Sequence, residues 1–367
     1  MNISIIIACL SSLCLALMII FDRLLIGDCY RNQPKQAWVV SSVCGMVMGI
    51  FSTVLIWVFM SVANTDYTLS IFFISTIDLL FPYGLFVLLA GMMAMQVLYH
   101  YFHTFIPEKG RSVNETAVAM WLASSPIWIF IVIAILQYSE IEMGFLSGIE
   151  KAVVTWEFGF LLLLSVSTLV QFEKVSQGNK FTFVNFFYSR YIRSVVLIQV
   201  YTVGYVLILS GVLRDFADDF VATMSLLPWY FLGFGTGMVW LFFSRSERDK
   251  LYRNKRRLLC FLVPILLAEV IGMLVFFFEF FALSAVDPTL VNLIIGFHVI
   301  LVFFLMLGLR FLRLHMHRNK IRRYWFCGFR IKSSRLPTSH DRCFFLREFF
   351  WFLVAVVMLG ACIVYVA

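Results

Sequence analysis

Charge is what this sequence has least of. Asp, Glu, Lys and Arg make up 14% of its 367 residues, against about 25% in a soluble domain. It also lacks a Walker loop, a Gly-rich dinucleotide turn, an HExxH pair and a GxSxG elbow. Nothing therefore points to ATP-driven transport within this chain, and neither a soluble catalytic domain nor a cofactor is expected. The eight cysteines include no CxxC. Cys9, Cys14, Cys44, Cys260 and Cys362 lie in apolar runs and read as small packing residues. Cys327 and Cys343 share a segment with His315, His317 and His340, at spacings that fit no standard zinc pattern. The start, MNISIIIACLSSL, has no Lys or Arg before its apolar run. A secretory signal needs that basic start, so a retained first span is expected.

What the sequence has instead is apolar surface. Hydrophobic residues are 62% of the chain, more than one water-soluble core of this size buries. They come in runs long enough to cross a bilayer as helices, which satisfy their own backbone in lipid. Stretches such as Leu258–Leu283 and Leu290–Leu309 do not alternate apolar with polar residues, which argues against barrel strands. Ten spans are expected, at about 3–26, 38–62, 79–104, 115–137, 150–171, 193–213, 221–243, 258–283, 289–312 and 347–366. The expected fold class is thus an all-α integral membrane protein of ten transmembrane helices.

The formal charge of +8 does not indicate nucleic acid, because the basic residues sit in short connections between spans. Of the 29 Lys and Arg, 27 fall in odd-numbered connections, and only Lys151 and Arg214 fall in even ones. The positive-inside rule then places the odd connections in the cytoplasm and both termini outside. A bacterial inner membrane is the expected setting. The ninth connection, 313–346, is basic and has one acid, Asp341. It reads as an anchor on anionic lipid headgroups, with a regulatory or partner-binding role as the alternative.

Two halves of five spans align. LLAGMMAMQVLYHYF (88–102) corresponds to LLAEVIGMLVFFFEFF (266–281), and ETAVAMWLASSPIWIF (115–130) to PTLVNLIIGFHVILVF (288–303). The second span carries Gly45 and Gly49, the seventh Gly233 and Gly237, each a pair that admits close helix approach. An odd number of spans per half makes the halves, 1–172 and 190–367, inverted repeats.

The LAG at 89–91, the ETAVAMWLASSPIWIF run with the LQYSE that follows it, and FFALSAVDPTLVNLIIGF (280–297) resemble the drug/metabolite transporter superfamily, in its ten-span EamA-like branch. The resemblance covers about residues 1–312. It implies a secondary transporter or exporter of a small organic metabolite, working by alternating access. The sequence departs from that family in the side assigned to its termini and in its long ninth connection.

Ionisable residues deep in a span are costly, about 2.5–3.5 kcal/mol on insertion scales. Glu269 in the eighth span and His298 in the ninth sit near expected span centres, and a pair between them would carry a proton. Gln96, His100 and His103 share one face of the third span, which must then face protein or a water-filled path. Glu279, Asn292, Trp121 and Tyr201 are further candidates for the solute pathway, with Gln199 and Tyr205 beside them. For each, the plainer reading is a polar contact that locks two helices. Pro126 marks an expected bend. Glu157 is expected to face another helix. Asp22 and Arg23 read as interfacial residues that snorkel.

Two other functions compete. A membrane enzyme acting on lipid-linked sugars would use the acids Asp215, Asp218 and Asp219, which otherwise read as a solvated loop. A non-transporting scaffold or accessory subunit would work through the ninth connection.

Overall fold

A computed structural model describes residues 3–30, 33–63, 82–106, 115–139, 156–177, 182–216, 220–239, 243–286, 288–318, 323–326, 329–332 and 342–366. The protein is a multi-pass, almost wholly helical membrane protein. Among the described residues, eight helices are long and apolar enough to cross a bilayer.

The helices are α1 (Ile3–Asp28), α2 (Pro34–Ala63), α3 (Tyr83–Thr104), α4 (Glu115–Leu122), α5 (Ser125–Tyr138), α6 (Trp156–Gln177) and α7 (Phe183–Phe187). They continue as α8 (Arg190–Arg214), α9 (Phe220–Gly235), α10 (Arg245–Cys260), α11 (Leu262–Ala285), α12 (Pro288–Gly296), α13 (His298–Arg318) and α14 (Arg342–Val366). Each of the ten expected spans falls on one of these helices or on a consecutive pair. The expected seventh and tenth spans fall on α9 and α14, which are not among the eight.

The differences have physical causes. The basic segment after the seventh span is itself helical, and α10 stops at Cys260. The eighth span, α11, therefore begins at Leu262 rather than 258. Glu269 is then seven residues in, about 10 Å at 1.5 Å per residue, nearer one end than the expected midplane position. The fourth span breaks between α4 and α5 just before Pro126, which has no N–H to give and occupies the first turn of α5. The ninth span also breaks, at Phe297 between α12 and α13, which nothing in the sequence reading anticipated. The ninth connection, expected to anchor on lipid headgroups, contains a short antiparallel hairpin: β1 (Arg323–Phe326) pairs with β2 (Phe329–Lys332), Arg323 opposite Lys332.

Close helix crossings are made where glycine allows them. The backbone of α2 runs antiparallel against α9, with Gly45 facing Phe234, Gly49 facing Leu232, and Gly237 facing Trp38 and Ser42. On its other side α9 packs on α3 through Gly91 and Gly233. The remaining principal pairings are α3 with α8, α1 with α11, α1 with α12 and α13, and α6 with α14. Polar ties reinforce them: Trp38 Nε1 donates to the Met95 carbonyl at 3.0 Å, and Ser11 Oγ donates to the Val275 carbonyl at 3.0 Å.

Candidate functional site: two broken helices and a buried acid pair

A break in a spanning helix frees backbone carbonyls that lipid cannot satisfy. At the α4–α5 break the Trp121 carbonyl accepts from Ser124 Oγ at 2.7 Å and from Gln199 Nε2 of α8 at 2.6 Å. At the α12–α13 break the Ile295 carbonyl lies 2.7 Å from Nδ1 of His298. The His298 ring is 1% exposed and also lies against the backbone of Ala119. The two breaks meet. A β-carbon on Gly296 would stand 3.5 Å from the Ala123 carbonyl oxygen. Asn292, also buried, donates to the Pro288 carbonyl one turn back at 3.0 Å. The Trp121 carbonyl, His298 and Gln199 are thus gathered around one crossing, with Asn292 one turn before it on α12.

Glu269 lies elsewhere, where α1, α2 and α11 come together. Its carboxylate accepts from Ser41 Oγ of α2 at 2.8 Å. Its charged neighbour is Asp22 of α1, not His298; the two acids interact electrostatically. Asp22 is buried, at 7% exposure, whereas Glu269 is half-buried. The Tyr101 hydroxyl of α3 lies against Asp22. The buried Tyr30 hydroxyl feels both Asp22 and Glu269, and the Cys44 thiol also feels Glu269. The expected snorkelling of Asp22 does not occur: it turns inward. Arg23 makes an ion pair across to α4, its Nε 2.7 Å from Glu115 Oε1.

Ser41, Tyr30 and Tyr101 were not singled out in the sequence, and Asp22 was read only as interfacial. Asp22 carried a usable signal, an acid six residues inside the end of an apolar helix. Its neighbour Arg23, near the same helix end, masked that signal by suggesting that both residues snorkel to the interface.

Glu279 forms a third polar centre. Its Oε1 accepts from the Tyr205 hydroxyl of α8 at 2.8 Å, and Tyr230 of α9 lies nearby. The His100 ring stacks on Tyr201 of α8, with centroids 5.9 Å apart and planes 11° from parallel. His103 turns back on its own helix, its Nδ1 2.7 Å from the Tyr99 carbonyl. His100 of the α3 stripe thus meets α8, while Gln96 is half-buried.

No family model matches this chain, and no curated protein matches it. Among the described residues, no three His, Cys, Asp or Glu side chains converge as metal ligands. The Glu157 side chain, the acids Asp218 and Asp219, and the side chains of Cys327, Cys343, His317 and His340 lie outside the described residues.

Proposed function

We propose that this protein is a secondary transporter of a small organic solute, working by alternating access between two inverted five-helix halves. The observation that carries this reading is the meeting of two broken helices at Ala123 and Gly296. Interrupted spans at corresponding positions of two halves are where transporters of this architecture bind substrate. The breaks fall in the fourth and ninth spans, which the sequence alignment of the halves pairs with each other.

Helix packing supports the same symmetry. Exchanging the halves maps the second span onto the seventh, the fourth onto the ninth and the fifth onto the tenth, and each of these pairs is in contact. It also maps the third-on-sixth pairing onto the eighth-on-first, and both are extensive. Ten spans, with α9 and α14 as the seventh and tenth, complete the two halves. The resemblance to the EamA-like branch of the drug/metabolite transporters agrees with this arrangement.

In this reading the crossing of the broken helices holds the solute through Trp121, Asn292 and Gln199. The Asp22–Glu269 pair, set apart from it, is the coupling centre, where a proton is taken up or released. The basic connections face the cytoplasm. The test is solute flux in proteoliposomes, screened across amino acids, organic cations and organic anions under an imposed proton gradient. Flux that Asn292→Leu abolishes, and that Glu269→Gln uncouples from the gradient, is the expected result. A chain that folds and moves no solute in any class would end this reading.

A further inference from the structure

We infer that the Asp22–Glu269 centre binds a monovalent metal cation, with sodium as the ion to test. This deepens the transporter reading by letting sodium occupy the centre in exchange for the proton, though the binding itself does not depend on that reading.

Two interacting carboxylates, one buried and one half-buried, need positive charge close by. Arg23, the nearest base in sequence, is committed to Glu115 at 2.7 Å. A single proton answers one carboxylate, but it leaves the Tyr30 hydroxyl where it is: 2% exposed, with no hydrogen-bond partner, and within electrostatic reach of both acids. A buried hydroxyl without a partner calls for an explanation. An ion explains it, because a cation draws oxygen lone pairs from several directions at once. Besides the Tyr30 oxygen, the centre offers those of Asp22, Glu269, Ser41 and Tyr101, from α1, α2, α3 and α11.

All of these are hard oxygen donors, which favour an alkali or alkaline-earth ion over zinc or copper. Two carboxylates that share one site do not both ionise, so one keeps its proton and the remaining need is about one charge rather than two. Magnesium also dehydrates reluctantly, which a largely buried site disfavours. The burial of Asp22, Tyr30 and Tyr101 suits an ion rather than an organic solute.

The experiment is thermal unfolding of the purified full chain in detergent. It is titrated with sodium chloride against potassium and N-methylglucamine chloride at constant ionic strength. A saturable stabilisation specific to sodium is expected. In Tyr30→Phe and Ser41→Ala the half-maximal sodium concentration should rise by about tenfold, and in Glu269→Gln the stabilisation should vanish. Tyr30→Phe and Ser41→Ala keep the test decisive where Glu269→Gln does not fold. Equal stabilisation by all three salts, or a sodium effect unchanged in these variants, would overturn the inference. Sodium binding without solute flux would end the transporter reading and leave the site standing; flux without sodium binding would do the reverse.

Discussion

Gly91 and Tyr230 touch through their backbones: a β-carbon on Gly91 would stand 2.1 Å from the Tyr230 carbonyl oxygen. The same crossing puts a β-carbon on Gly233 2.3 Å from the Leu88 carbonyl oxygen. Neither obstacle is the end of a flexible side chain, so α3 and α9 have to move apart to admit any substituent. Small residues drive helix association in lipid because dispersion contacts, rather than water exclusion, hold the pair.

Gly91→Ala and Gly233→Ala should each destabilise the protein by about 1–3 kcal/mol, the usual cost of overpacking. Gly159→Ala is the control, since a β-carbon there meets nothing within 4 Å. Thermal unfolding in detergent checks the comparison, and equal midpoints for all three variants would contradict it.

Arg310 and Glu348 tie α13 to α14 through a two-pronged ion pair, at 2.9 and 3.1 Å. Glu348 is buried and Arg310 mostly so. Glu348→Ala should therefore cost about 3–5 kcal/mol, because it strands a guanidinium away from water. Replacing both by Leu should restore much of the loss. Unfolding midpoints of the single and double variants decide the point.

Tyr205→Phe removes the hydroxyl that donates to Glu279 and changes nothing else in shape. The buried carboxyl loses a partner, and about 1–3 kcal/mol of stability should go with it. Glu279→Gln should restore part of that in the double variant, since an uncharged amide tolerates the site better. A double-mutant cycle reads the coupling directly.

Burial pushes the Cys29 thiol up to about 12, with Arg257 drawing it part of the way back. A raised thiol pKa means a protonated, unreactive sulfur at neutral pH. Cys29 should resist maleimide at pH 7.5 in the folded protein and react fully once it is denatured. Fast labelling of the folded chain at Cys29, read by mass spectrometry, would show that this environment is wrong.

Orientation has its own test. Arg253 is exposed on the basic helix α10. In a cysteine-free chain, Arg253→Cys should react with a membrane-impermeant maleimide only after the membrane is opened. Labelling in intact cells would place the basic connections outside.

Spans and their order could be read directly, because a bilayer demands a fixed length of apolar helix and imposes that demand on each segment alone. The break before Pro126 was equally local, since a missing N–H acts on its own turn. The break at Phe297 left no such mark: it follows from how α12 and α13 meet the fourth span. The acid centre was only half legible. Glu269 stood out because an acid within lipid-length sequence is costly wherever it occurs. Its proposed partner His298 was wrong because depth along a span says nothing about which face of which neighbour it meets.

Hydrophobicity, then, settled by sequence alone that the chain is a many-span membrane protein, since it acts span by span. Only the three-dimensional packing decided that Asp22 turns in beside Glu269, that Arg23 leaves it for Glu115, and that the two broken helices cross at Ala123 and Gly296. Those choices depend on rotation of each helix about its axis. That rotation is set by which glycines let which backbones close together, and it belongs to pairs of helices rather than to any one segment.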